Sequence, residues 1–303
     1  MIIGIMTVNG FDFHPNARFR EEARRRGHKV ILIDPYGVGC RLDASGAGMV
    51  RAGAGEPPDA TVPDLVMPRQ GSPMGEYGFV LLRQFQRMGI PVINSLEGVT
   101  IARNQFISLQ QLNNAGLPVP PSFFVTREDM FFEAVSRLGG YPVVAKQVSG
   151  MGGDGVAKLT GRGAAESFLS RELVPEKGLV VEPYLDRRHD LRLMVVGDRV
   201  AGAMALTPAP GQFRANVHQQ AKAEALDPPD EVCRTAVAAA RACRLDIAGV
   251  DMMVTRDRGT LVLEVNYSPG FRGIEQATGM NMAGMILDHV LALYKKRRTP
   301  AKG

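Results

Sequence analysis

The chain contains no tryptophan, and aromatic residues make up only 6% of its 303 positions. A stacking platform for single-stranded nucleic acid needs rows of exposed rings, so specific nucleic-acid binding is not expected. Cysteine is equally scarce. Cys40, Cys233 and Cys243 have no metal-ligand spacing, and an odd count argues against a disulfide framework. No apolar run approaches the length that crosses a bilayer. The opening MIIGIM is too short for a secretion signal and lacks a basic leader, so it reads as a first core strand. These absences together favour a reduced, cytoplasmic setting with no membrane partner. His14, His28, His189 and His289 stand apart without ligand spacing and read as ordinary polar or core residues. Part of the formal charge of +5 sits in Lys295-Lys296-Arg297-Arg298. That run is expected to be a solvated, frayed terminus rather than an arm for an anionic partner.

What the chain does have is alternation of strand and helix patterns. Residues 2–8, 30–33, 64–67 and 91–94 read as strands, and 15–26 and 75–88 as helices. Strands alternating with helices imply a parallel α/β domain over 1–97. Residues 44–63, rich in Ala, Gly and Pro, show no period and read as a long loop. A helix is expected over 101–114 and a strand over 123–125. Thr126-Arg127-Glu128-Asp129 then has the form of a helix-capping box. Residues 141–159 read as strand, glycine-rich turn, strand. Further strands are expected over 179–185, from Asp190, and over 200–206, with amphipathic helices over 231–244 and 282–294.

The chemistry concentrates in a hairpin, GVDMMVTRDRGTLVLEVNYSPG, whose polar turn ends in Gly259. Glu264 and Asn266 lie two apart and share a face of a strand that is otherwise apolar. With Asp251 on the first strand they offer only hard oxygen donors, which suit Mg2+ held jointly with phosphates. The simpler alternative is an edge hairpin with solvated acids.

The turn of residues 150–155 contains Gly150, Gly152, Gly153 and Gly155, a formal G-x-G-x-x-G. A dinucleotide fingerprint needs a helix directly after it, and here Val156-Ala157-Lys158 continues as strand. A Rossmann-type dehydrogenase therefore rests on the glycines alone. A glycine-rich hairpin instead gives backbone N–H groups close approach to a triphosphate. Lys146, on the strand entering the turn, is placed to meet a phosphate; otherwise it is an edge-strand lysine. Gln212, Arg214, Asn216 and His218 share the polar face of an alternating stretch. They form either a wall against a phosphorylated ligand or a face open to water. Asp190 and Arg192 share a face on their strand. Arg69 follows the carboxyl end of a strand, where open α/β sheets place ligand groups. It is either a holder of a substrate carboxylate or an exposed loop arginine.

Taken together, PVVAKQVSGMGGDGV, QFRANVH and AGVDMMVTRDRGTLVLEVNYSPGFRGIEQATGMNMAG resemble the ATP-grasp superfamily, and within it the RimK-type glutamate ligase family. The resemblance spans essentially the whole chain. It implies a pre-ATP-grasp α/β domain over 1–97, then an α+β ATP-grasp fold with lobes over 98–184 and 185–303. By resemblance, Asp251, Glu264 and Asn266 hold Mg2+, with Mn2+ as a substitute. Lys146 and the glycine turn contact phosphates, and Glu182, Pro183 and Tyr184 line the adenine. Asp190, Arg192 and the Arg214-Ala215-Asn216 run complete the nucleotide site, with Arg214 most tied to catalysis. Arg69, His218 and Glu275 are the candidate substrate contacts. Two positions depart from the family pattern. Gln105 stands where an ATP-binding lysine is usual, and Pro183 where an acidic residue is common.

The activity implied is a carboxylate–amine ligase that consumes ATP, forms an acyl phosphate and joins glutamate to a protein, peptide or small-molecule acceptor. A homo-oligomer is compatible with that reading. The neutral Gln105 keeps open a second reading, a nucleotide-binding regulator of the same fold without catalysis.

Overall fold

The structure is a computed structural model that describes residues 1–50, 62–69, 74–148, 155–207 and 222–298. Strand β1 (Ile2–Met6) leads through helix α1 (His14–Arg25) to β2 (Lys29–Ile33). A hairpin of β3 (Gly39–Asp43) and β4 (Gly46–Val50) follows, then β5 (Leu65–Pro68) and α2 (Glu76–Arg87). Strands β2, β1 and β5 pair in that order, all parallel. Alternation sends Ile3, Ile5, Leu65 and Met67 to one face, against Phe19 and Ala23 of α1. Met6, Ile33 and Val66 turn the other way, toward Leu81, Leu82 and Phe85 of α2.

Three sequence expectations are corrected in this half. Part of the stretch expected to be loop, 44–63, is strand, because β4 pairs with β3. No alternation marks it because neither face is fully buried: Leu42 and Val50 are exposed. The half-buried pair Cys40 and Met49 packs on the core, and Gln84 Nε2 donates to the carbonyls of Arg41 (2.8 Å) and Gly48 (2.6 Å). The expected strand at 91–94 makes only a single bridge, Val92 to Val66. The helix expected over 101–114 is two helices, α3 (Leu96–Arg103) and α4 (Gln105–Asn114). They break at Asn104, whose Oδ1 accepts from the amides of Phe106 (3.0 Å) and Ile107 (3.1 Å) and so caps α4.

The middle lobe comprises β6 (Phe123–Val125), α5 (Glu128–Arg137), β7 (Val143–Gln147), β8 (Val156–Leu159), α6 (Arg162–Glu172) and β9 (Leu179–Pro183). Its sheet runs β6-β9-β7-β8, antiparallel throughout, over a core of its own built on Phe131, Val143, Ala145, Phe168 and Val181. The capping box does not form. Arg127 occupies the N-cap without a side-chain bond, and Asp129 instead accepts from the Met130 amide (2.9 Å) and Arg127 Nε (3.0 Å).

The last lobe is an antiparallel sheet, β12-β11-β10-β13-β14. Its strands are β10 (Arg187–Val196), β11 (Arg199–Thr207), β12 (Lys222–Ala225), β13 (Ile247–Thr255) and β14 (Thr260–Asn266). Helix α7 (Asp230–Ala242) covers one face, packing Ala236, Ala239 and Ala240 on Leu191, Leu193 and Val250. Helices α8 (Arg272–Thr278) and α9 (Met282–Arg298) cover the other, with Ile274, Ile286 and Leu287 against Met194, Val196 and Met204. The basic run is not frayed, since α9 stays helical through Arg298, although Lys295, Lys296 and Arg297 are exposed.

The first and last lobes share their cores. Ile3, Ile5 and Phe19 join Ile286, Val290 and Tyr294 in one cluster, and Val66 and Phe85 join Val250 and Val262 in another. Asn94, only 3% exposed, fastens them. Its Nδ2 donates to the carbonyls of Ile247 (2.7 Å) and Tyr267 (2.8 Å), and its Oδ1 accepts from the amides of Asp246 and Ile247 (both 2.8 Å). Every hydrogen-bonding position of the amide is filled, at the two ends of the β13–β14 hairpin.

Candidate active site

The β13–β14 register sets Asp251 opposite Glu264 and Gly249 opposite Asn266. Residues directly opposite in an antiparallel ladder point to the same face, so Asp251, Glu264 and Asn266 share one. The ladder then skips Leu263, pairing Met252 with Val262, and this bulge lies beside the acid pair. Bulges of this kind re-aim side chains and recur next to active sites. Gly249 leaves no slack, because a Cβ there would stand 2.7 Å from Cβ of Pro269.

Strand β10 adds Arg192, which pairs with Asp251 across the sheet. Its guanidinium grips that carboxylate in a two-bond fork, Nε to Oδ1 at 2.7 Å and Nη2 to Oδ2 at 2.6 Å. The Asp251 charge, helped by Glu264 and by the fork itself, holds the Arg192 pKa above its ordinary value against the opposing effect of burial. Asn266 Nδ2 donates to Asp251 Oδ2 at 3.2 Å. Asp190, two residues before Arg192 on the same strand, is paired instead with Arg187 Nη1 at 2.7 Å.

Among the described residues no three His, Cys, Asp or Glu side chains gather as a metal cluster. The donor set is two carboxylates and an amide, all hard oxygens, and that chemistry fits Mg2+ rather than a softer ion. The fit has one condition: both Asp251 oxygens already accept from Arg192, so a cation there shares or displaces that fork.

A second polar face lies on the middle lobe. Val144 pairs with Glu182 on one side and Lys158 on the other, so these and Lys146 project from the side opposite the lobe's core. Lys146 Nζ meets Glu182 Oε2 at 2.5 Å, both nearly buried. Lys158 Nζ sits 3.5 Å from the Tyr184 ring centroid. Val180, opposite Lys146 on this face, belongs to the core shared with the last lobe, so the face turns toward it. The backbone N–H of Gln105 donates to the Val148 carbonyl (3.0 Å), just after β7, which brings the start of α4 beside this face. Gly155 closes the described part of the turn at φ 72°, and a Cβ there would lie 2.7 Å from Gln147 Cγ. Glycine is required at that position.

The remaining candidates separate. Pro183 ends β9, and the Tyr184 amide donates to Pro142 O (3.0 Å). Arg69 is not an exposed loop residue: it is 8% exposed, with Nη2 donating to the Pro269 carbonyl at 2.6 Å. Glu275 is drawn into a different network, with Arg18 Nε and His14 Nε2 each 3.3 Å from its Oε2. Gly150, Gly152, Gly153, Arg214, Ala215, Asn216 and His218 lie outside the described residues. Reading the sequence alone missed Lys158, Arg187 and Asn94. Strand parity marks Lys158 once its register with Val144 is known, but nothing in local pattern marks the other two.

An antiparallel hairpin lobe with a lysine on its polar face, followed by an antiparallel sheet that carries an acid row, is the layout of the ATP-grasp fold. The model of the RimK-like ATP-grasp domain matches residues 102–290, and that of the RimK pre-ATP-grasp domain matches residues 1–99. A protein of Marinobacter nauticus named as a probable alpha-L-glutamate ligase is 36% identical over 305 residues, covering 100% of this chain and 99% of its own. The solved RimK domain ATP-grasp protein of Sphaerobacter thermophilus aligns with a TM-score of 0.75 at 22% identity, over 95% of this chain and 99% of its own. The ATP-grasp ligase PsnB, solved with a minimal precursor, Mg and ADP, gives 0.72 at 23% identity, over 97% of each chain. The chain belongs to the RimK-like ATP-grasp family.

Proposed function

We propose that the protein is an ATP- and Mg2+-dependent ligase that joins glutamate, through an acyl phosphate, to an acceptor protein, peptide or small molecule. The observation that carries this reading is the row Arg192, Asp251, Glu264 and Asn266 on one face of the last lobe's sheet, with its fork and amide contact; Lys146, on the polar face of the middle lobe, supports it. The glutamate assignment draws on the name of the Marinobacter relative. ATP is the substrate whose phosphates Lys146 receives, exchanging Glu182 for phosphate oxygens. Glu182, Pro183 and Tyr184 line the base, and Asp190 completes the nucleotide site. Arg214, Ala215 and Asn216 are assigned from the sequence resemblance, Arg214 as the catalytic cation and His218 as a substrate contact.

In this reaction a carboxylate oxygen attacks the γ-phosphorus and ADP leaves. The incoming amine then attacks the acyl carbon, loses a proton and expels inorganic phosphate. Catalysis of such transfers is mostly positioning and charge neutralisation. Asp251, Glu264 and Asn266 would hold Mg2+, with Mn2+ as a substitute, and the metal supplies that neutralisation when bound. Arg192 orients Asp251 through its two-bond fork.

The test is phosphate release from ATP and Mg2+ with each amino acid in turn, with mass spectrometry on the same samples. Release stimulated by glutamate, with glutamate-extended products, is expected. A second reading, a nucleotide sensor, is favoured by two features: the neutral Gln105, and Lys146 already paired with Glu182. Calorimetric ATP binding without release, even after addition of cell extract as an acceptor source, would select it.

A further inference from the structure

Arg69 presents an unusual electrostatic situation. It stands at the end of β5, and its guanidinium carbon lies 5.5 Å from the Phe19 ring centroid and 5.9 Å from that of Phe271. Both rings are fully buried, and Arg69 itself is 8% exposed. A guanidinium carries five N–H donors. The one side-chain acceptor it has among the described residues is the Pro269 carbonyl. Among the described residues no carboxylate pairs with it. Burial pulls its pKa down to about 10, opposed by the neighbouring Tyr267 phenol. The group is therefore still a cation at neutral pH, buried with no counter-charge among the described residues.

A buried cation of this kind is costly unless an anion arrives to meet it. Other buried or half-buried arginines in this chain have carboxylates. Arg192 holds Asp251, Arg187 holds Asp190, and Arg26 holds Glu22 and Asp288. Arg69 alone among these is kept waiting, and its place is informative. Pro269, its acceptor, comes three residues after Asn266 at the end of the acid-bearing hairpin, and 200 positions after Arg69 itself. The guanidinium bridges the first lobe and the catalytic edge of the last.

We propose that Arg69 holds a carboxylate of the substrate, so that the first lobe supplies the anion subsite of the ligase. The planar fork suits a two-bond grip on a carboxylate, and the Phe19 and Phe271 rings keep water from competing. The inference rests on the ligase reading for the identity of the anion, as glutamate or the C-terminal carboxylate of an acceptor.

The experiment is calorimetric binding, without turnover, to the full chain and to Arg69→Met. The probes are glutamate, glutamine, isoglutamine, triglutamate and triglutamate with an amidated C-terminus. In the unmodified protein, one of the two monoamides or the amidated peptide is expected to bind roughly 10- to 100-fold more weakly than its parent acid, from loss of a charged hydrogen-bond pair. In Arg69→Met that discrimination disappears, while ATP binding stays within about twofold. Loss of discrimination toward a glutamate monoamide assigns the amino-acid carboxylate, and loss toward the amidated peptide assigns the acceptor's. Equal binding of acids and amides by the unmodified protein overturns the proposal whether or not the variant folds. Discrimination that survives in a folded Arg69→Met also overturns it. Arg69-dependent binding with no phosphate release under any amino acid would count against the ligase reading and leave the anion subsite standing.

Discussion

At the scale of single residues, the two lysine and arginine partnerships differ in what they ask of a ligand. Lys146 is neutralised by Glu182 at 2.5 Å, so an incoming phosphate competes with a carboxylate already in place. Replacing that competitor with a neutral isostere, Glu182→Gln, is expected to tighten ATP binding by about 3- to 10-fold, or up to about 1.4 kcal/mol. Titration calorimetry of the two proteins checks this, and unchanged or weaker binding would show that the carboxylate serves the nucleotide instead. Histidines 14 and 28 give a pH prediction. Burial is the largest influence on each and lowers its pKa; for His14 it outweighs Glu275 at 3.3 Å. The unfolded chain therefore takes up these protons first. The stability they confer is complete above about pH 6.5 and is lost as pH falls from there through the lowered folded values. The melting temperature should drop on acidification over that window, and His14→Gln with His28→Gln should make the slope shallower.

At the scale of elements, pattern legibility followed burial. The acid hairpin could be read because its apolar positions are buried and its turn is punctuated by Gly259, so Glu264 and Asn266 stand out against Val262 and Val265. The β3–β4 hairpin could not, since only Cys40 and Met49 reach the core, half-buried, while Leu42 and Val50 are exposed, and Gln84 on α2 ties the strands down. The α3–α4 break was hidden for a different reason. Phe106, Leu109 and Leu112 continue a helical period, whereas the break depends on Asn104 leaving helical geometry to cap the next helix. Asn104→Ala should cost about 1 kcal/mol, seen as a lower denaturation midpoint with an unchanged denaturant slope. The register that brings Lys146, Glu182 and Lys158 to one face belongs to strand pairing across distant segments, which no local window contains. Arg69 was visible as a candidate by its place after β5, but its burial depends on Phe19 and Phe271, from helices far apart in the chain.

At the scale of the whole molecule, the middle lobe has its own core, whereas the first and last lobes are built into each other. Helix α9 supplies Ile286, Leu287, Val290, Leu291 and Tyr294 to the surface formed by β1 and α1, and Arg26 clasps Asp288 through two hydrogen bonds of 2.7 and 3.0 Å. Burying side chains of this size contributes about 1.5–3 kcal/mol each, and together they rival the typical net stability of a domain, about 5–15 kcal/mol. A chain truncated after Asn281 should therefore lose cooperative unfolding of the first lobe as well as the last. Hydrogen exchange of the β1 and β2 amides checks this, and native protection there would mean the first lobe stands alone.

That arrangement also sets a timetable for birth on the ribosome. Strand β1 comes long before α9 in the chain, yet Ile3 and Ile5 share their cluster with that helix. Until α9 is made that surface stays uncovered, while the middle lobe, complete by Pro183, already has its own core. The middle lobe therefore has its whole core in hand before α9 is available to cover the first lobe.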